Sequence, residues 1–356
     1  MALILALGLV LLFASAASYA APKPERTNAY VVRVLVSDMA GKAPALDPNL
    51  ANGWGLAAGP TTPWWVADNH TDKSTVYDAT GTVLPRVVSV VGGPSGVVYN
   101  GTAGFMVSAE GTSAPARFLF ATEGGTILGW APSVPASEST RAFVVADHSA
   151  AGAVYKGLAI GMADGKNYLY ATDFHNGKVD VYDENYVLQN WSKAFTDRRV
   201  RKGFAPFGIQ AIGDRLYVAY AKQDKQAHDN VSGRGLGYVD VYTMKGALIK
   251  RVATRGRLNA PWGIAMAPAK GFGRYNGCLL VGNFGDGSIN AYRANKKGVW
   301  NPVGTLRTNK GKQLKIEGLW GIAFGNGGPS GPVNKLYFAA GPSEENHGYF
   351  GVVSAR

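Results

Sequence analysis

The chain has a single cysteine, Cys278, in 356 residues, so no disulfide can join one part of it to another and its stability has to come from packing. The context GCLLVG places that cysteine on an apolar strand, as a small buried hydrophobe. Charged residues are scarce at 17% against 46% hydrophobic, a balance that argues against long helices. Beyond residue 20 no apolar run approaches the roughly 20 residues that a membrane helix needs, so no later segment is expected to cross a bilayer. Absent too are an HExxH pair, a Cys/His cluster at zinc spacing, a GxSxG elbow and a recognisable nucleic-acid-binding module. The familiar zincin and α/β-hydrolase signatures are therefore missing, and nucleic acid is not an expected partner.

What is present points to strands. There are 47 glycines, 17 tyrosines and 8 tryptophans, a balance of β-formers and tight turns rather than of long helices. Residues 1–20 carry no charge, run apolar from Ala2 to Phe13 and end in small residues at Ser18 and Ala20. They read as a secretory signal, with residues 21–356 as a single mature domain, secreted or, in a bacterium, periplasmic; an uncleaved anchor helix is the alternative. The formal net charge is +12. Basic residues gather at Arg198, Arg199, Arg201 and Lys202, at Lys250, Arg251, Arg255 and Arg257, and at Arg307, Lys310, Lys312 and Lys315. Attraction to an acidic glycan or another anionic surface partner is one reading of that excess, and solubility alone is the other.

One pattern recurs along the chain: an aromatic or polar residue, then Gly, then an apolar strand. It begins at Trp54, Ser95, Lys156, Phe207, Trp262 and Trp320, with starts about 40 to 60 residues apart. Each start is followed by a second strand such as PWWVADNH or NYLYATDFHNG and a third such as KVDVYD or SINAY, with Gly, Asp and Asn at the turns. The sixth unit runs out of chain before a fourth strand, while residues 29–37, AYVVRVLVS, form a strand that belongs to no unit. Ring closure solves both problems. The pattern predicts an all-β, six-bladed β-propeller with four-stranded blades, in which the N-terminal strand completes the last blade and no sheet edge stays free.

Strand direction puts the loops between second and third strands on the face where the inner strands start. All five histidines map there, and so do Asp68, Glu123, Asp173 and Asn283 at equivalent positions in their blades. The fourth blade's loop, residues 222–235, is the longest and carries Asp224, His228, Asp229 and Arg234.

The runs DPNLANGWGLA, RFLFATEGGTILGW, APFGIQAIGDRLYVAYAKQDKQAHDNVSG, LNAPWGIAMAP and LLVGNFGDGSINAY resemble a family of uncharacterised exported propellers of bacteria and plants, related in architecture to NHL-repeat and gluconolactonase-like propellers. The resemblance covers residues 29–353 and brings no defined activity with it. Gluconolactonase-like propellers hold a pore cation with Glu, Asn and Asp at the inner-strand starts. Here those positions offer Asn52, Asn259 and Glu317, with Lys156 intruding and Ala205 lacking a ligand atom.

Asp68, Asp173, Asn283 and Glu317 are the candidate ligands for a metal, with Ca²⁺ as the cofactor in view; for Asp68, Asp173 and Asn283 the alternative is that they close the turns of their blades. Trp54, Trp262 and Trp320 are candidates for an aromatic floor under a ligand, or for blade packing. Lys156, His70, His175 and His347 complete the candidate binding set. NHT, NGT, NWS and NVS, at Asn69, Asn100, Asn190 and Asn230, match the glycosylation sequon. The leading expectation is a monomeric extracellular binding module for an anionic glycan or surface partner. The alternative is a Ca²⁺-dependent hydrolase or lactonase of the gluconolactonase-like type.

Overall fold

The computed structural model describes residues 27–191 and 193–356; the expected signal segment lies outside them. Six antiparallel sheets form the blades of a propeller, and their inner strands are Gly53–Ala57, Pro94–Tyr99, Tyr155–Ala163, Phe204–Ile212, Pro261–Met266 and Leu319–Phe324. All six recurrent starts fall on these strands. Among the described residues no helix is long and apolar enough to cross a membrane.

The glycine of the repeat has a steric reason. A Cβ placed on Gly55, Gly96, Gly157, Gly208, Gly263 or Gly321 would come within 2.0–2.9 Å of a backbone atom in the inner strand of the next blade, in cyclic order round the ring. Any side chain there would wedge two blades apart. The repeated Gly therefore marks the narrow waist of the propeller.

Six hydrophobic clusters fill the spaces between adjacent blades. Val98, Leu119 and Leu169 lie between the second and third blades, for example, and Val36, Trp64 and Phe350 between the sixth and first. A seventh lies on the axis, where Trp54, Phe174, Phe207 and Trp320 meet. Burying a large apolar side chain stabilises by about 1.5–3 kcal/mol, and a closed ring gives every blade two such interfaces.

Closure takes the expected form. Tyr30–Ser37 pairs antiparallel with Tyr349–Ala355, from Tyr30 opposite Ala355 to Ser37 opposite Tyr349, and becomes the outer strand of the sixth blade. The Tyr30 hydroxyl donates to the Phe272 carbonyl at 3.0 Å, tying the strand to the fifth blade as well. The two ends meet: Thr27 Oγ1 donates to the Arg356 carbonyl at 3.1 Å, and the Arg356 N–H to the Ala29 carbonyl at 2.9 Å.

Three details depart from a uniform four-stranded pattern. The third blade has three strands, the sixth gains a short parallel strand, Ala45–Leu46, and a hairpin of Met106–Ala109 and Thr112–Pro115 is inserted in the second blade. That hairpin accounts for the long spacing between the second and third starts.

Candidate functional site

Lys156 is the second residue of the third blade's inner strand, Tyr155–Ala163, at a position where other blades carry an aromatic or a small residue. Its side chain is 1% exposed, and burying an ammonium ion demands partners. Two carboxylates supply them. Nζ donates to Glu123, from the second blade, and to Asp229 Oδ1 at 3.0 Å, from the long loop of the fourth blade. It also lies 5.1 Å from the centre of the Trp54 ring.

Asn69 Nδ2 donates to the other Glu123 oxygen at 2.8 Å, and Asn52 Nδ2 contacts Asn69 Oδ1 at 3.3 Å and Glu345 Oε1 at 3.5 Å. Ser343, Glu344 and Glu345 are three successive non-glycine residues with φ of 56°, 54° and 69°, a left-handed turn costing roughly 1–2 kcal/mol per residue. Burial, reinforced by the charge of Glu123, raises the Glu345 carboxyl to about 7 against the pull of Lys156. Below this charged layer Trp54 stacks on Trp320 at 3.7 Å and Trp320 on Phe284 at 4.0 Å, while Trp262 Nε1 donates to the Lys156 carbonyl at 3.0 Å.

Trp54, Lys156, Trp262 and Trp320, four of the candidate binding residues, are thus brought together. The histidines are not part of that group. His70 and His175 are exposed, and His347 Nδ1 is paired with Asp38 Oδ2 at 2.8 Å. The candidate metal ligands make no bonds to one another. Asp68 is fully buried, and burial pushes its carboxyl well above the usual range. Asp173 accepts from the Val154 and Asn176 N–H groups and from Asn176 Nδ2 at 2.8 Å, which closes its turn. Asn283 Nδ2 donates to the Arg257 carbonyl at 2.8 Å, and Glu317 accepts from the Ser343 N–H at 2.9 Å.

Among the described residues, the group of three whose ligand atoms lie within 4.8 Å of one another is Glu123, His228 and Asp229. Its fit to a hard cation is poor, because the ammonium of Lys156 already sits against both carboxylates. Sequence reasoning put these residues on the right face without joining them to Lys156. The signal was Lys156 itself, since a cation at the start of an inner strand requires acids from the loops around it.

Two sequons are ruled out as glycan carriers in this fold. The Asn69 and Asn100 side chains are 6% and 3% exposed, and their amides are bonded to Glu123 and to the Gly104 and Ala116 carbonyls.

On the opposite face the ends of the inner strands surround a recess of about 430 Å³ lined by Leu56, Val97, Ile264 and Phe324. The aromatic layer separates it from the charged mouth.

Near the rim of the loop-bearing face, Arg234, Arg257 and Arg307 line a cleft of about 310 Å³ together with Ser288, Thr305 and Gln313. All three arginines are exposed, and none lies within 4.0 Å of a carboxylate among the described residues. Of the twelve clustered basic residues, Arg199 and Arg251 alone are ion-paired there, with Asp197 serving both.

No family model matches the chain. Two uncharacterised proteins of Acanthamoeba polyphaga mimivirus do: R648 at 31% identity, over 90% of this chain and 79% of that protein, and L690 at 32%, over 92% and 87%. Both relatives are viral, so they lend no support to a family spread across bacteria and plants. Among solved structures, the soluble aldose sugar dehydrogenase of Escherichia coli superposes with a TM-score of 0.54 at 14% identity, over 92% of this chain and 100% of that one. At that identity the likeness is one of fold.

Proposed function

The chain belongs to the family of the mimivirus proteins R648 and L690, and we propose that it is an exported, non-catalytic binding propeller whose loop-bearing face contacts an acidic glycan. One contrast carries this reading. The axial mouth is filled by the protein's own side chains, with Lys156 between Glu123 and Asp229, whereas the basic rim is largely unpaired. Exposed, unpaired arginines attract anions over distances of about 8 Å at physiological ionic strength and present planar donors to carboxylate or sulfate groups.

The test is retention on an immobilised acidic polysaccharide over a salt gradient. Retention lost steeply as salt rises, and absent on a neutral polysaccharide, is the expected result; passage through both columns without delay rejects the reading.

A second reading, a Ca²⁺-dependent hydrolase or lactonase, is favoured by the proximity of Glu123, His228 and Asp229. It requires Lys156 to yield its place to the ion. Metal analysis of the purified protein separates the two, because one tightly held Ca²⁺ or Zn²⁺ per chain would promote the hydrolase.

A further inference from the structure

We propose that the cleft of Arg234, Arg257 and Arg307 is the site at which a sulfated sugar is recognised; this rests on the acidic-glycan reading above and gives it an address and a chemistry. The three arginines come from three separate segments: the long loop of the fourth blade, the crossing into the fifth, and the crossing from the fifth to the sixth. Arg257 is the best anchored. Its carbonyl accepts from Asn283 Nδ2 at 2.8 Å and Asn290 Nδ2 at 3.4 Å, and its Nη1 donates to Thr305 Oγ1 at 3.3 Å. Arg307 Nη1 donates to the Gly311 carbonyl at 2.6 Å. The one carboxylate in the cleft, Asp286, is held at Oδ1 by the Ser288 N–H at 3.1 Å, the Ser288 hydroxyl at 2.7 Å and Asn283 Nδ2 at 3.2 Å, and among the described residues no arginine is ion-paired with it.

Three guanidinium groups offer more donors than the two oxygens of a carboxylate can accept, and a sulfate ester with three terminal oxygens uses them better. A second recess of about 650 Å³ adjoins the first, shares Arg234 and Arg257 with it, and adds Arg255, Tyr292 and Trp300. Trp300 is half-buried and stands edge-on to Tyr217 at 6.1 Å. An aromatic surface beside a cationic cleft is the chemistry that holds a sugar ring next to its anionic substituent. A free inorganic anion would use the first recess and leave the second idle, so two joined recesses fit an oligosaccharide.

The experiment is calorimetric titration of the mature chain with a heparin-derived tetrasaccharide, a tetragalacturonate, inorganic sulfate and vesicles containing phosphatidylinositol phosphate. It compares the wild type with Arg257→Gln/Arg307→Gln and with Arg198→Gln/Arg201→Gln/Lys202→Gln, after thermal melts have checked that each variant is folded. The expected result is binding of the sulfated tetrasaccharide about tenfold or more tighter than tetragalacturonate, weakened at least about tenfold by the first variant and little by the second. Sulfated-sugar binding that survives the first variant and fails in the second overturns the cleft but leaves the acidic-glycan reading standing. No binding of either oligosaccharide overturns both. Inorganic sulfate alone binding as well as the tetrasaccharide, or vesicles alone binding, overturns the sugar as the ligand.

Discussion

Lys156 at the axis and Arg257 at the rim are both cations on the loop-bearing face, and they differ in what surrounds them. Lys156 is 1% exposed and held by Glu123 and Asp229, with Glu345 close enough to feel its charge. Arg257 is exposed and spends its guanidinium on a single threonine hydroxyl. Burial forced the first cation to be satisfied from within, because an unpaired buried charge is costly. Exposure left the second free for a ligand. Position relative to solvent, more than charge itself, separates a structural cation from a binding one.

The sharpest way to break that comparison is Lys156→Met. Removing the ammonium leaves the largely buried Glu123 and the exposed Asp229 facing one another; because solvent screens the second, a stability loss of about 3 kcal/mol, the lower end of the cost of breaking a buried pair, is expected in the denaturant midpoint. A loss below about 1 kcal/mol would mean that the loops relax freely and that the mouth is no better ordered than the rim.

Next comes pH. The Glu345 carboxyl is raised from 4.5 to about 7 in the folded chain, so the native state binds that proton more tightly than the unfolded one. Its contribution to stability is therefore complete below about 4.5, falls as pH rises to about 7, and is flat above. Asp240, raised to about 6 by burial, adds a slope of the same sign. Glu345→Gln should remove its own part of the slope, at most about 3 kcal/mol between those limits, and leave the part due to Asp240. Identical pH profiles for the two proteins would place Glu345 in solvent.

A smaller effect is expected from Asp229→Asn, which weakens the tether of the long loop to the axis. About 1 kcal/mol of stability should be lost, with faster amide exchange confined to residues 222–235. Exchange accelerating across all six blades would contradict a local tether. The smallest effect belongs to Arg257→Gln without ligand, where a change within about 0.5 kcal/mol is expected because the side chain is exposed. A larger loss would make Arg257 a structural cation like Lys156.

The propeller was legible because its repeat carries a physical cause. Six glycines abut the backbone of the next inner strand, and no other residue fits there. The orphan strand at 29–37 announced ring closure because a sheet edge without a partner is a liability. The inserted hairpin was hidden, since its strands MVSA and TSAP are short and half exposed. The missing outer strand of the third blade was equally silent.

At the mouth, Trp54, Lys156, Trp262 and Trp320 were legible as members of the repeat. Asp229 and Glu345 were legible as residues of the loop-bearing face, but their approach to Lys156 was not. The first sits in a loop with no counterpart in other blades, and the second is turned by three left-handed residues without a glycine to betray them. The arginine cleft escaped for a related reason: Arg234, Arg257 and Arg307 are scattered along the chain, and blade geometry alone gathers them.

The meeting of Thr27 with Arg356 in the sixth blade makes the order of blades cyclic in a sense that covalent numbering conceals. A ring sewn at one seam can be unpicked at another. Joining residues 356 and 27 by a short linker, and opening the chain at the exposed turn of the inserted hairpin where Gly111 has nothing within 4 Å of a Cβ position, should yield a permuted chain with the same propeller. Its final blade would then form from neighbouring sequence rather than from opposite ends of the polypeptide. The slow search that joins segments more than three hundred residues apart would be moved to the second blade, whose inner strand Pro94–Tyr99 would then lie near one end of the chain and its partner Phe118–Thr122 near the other.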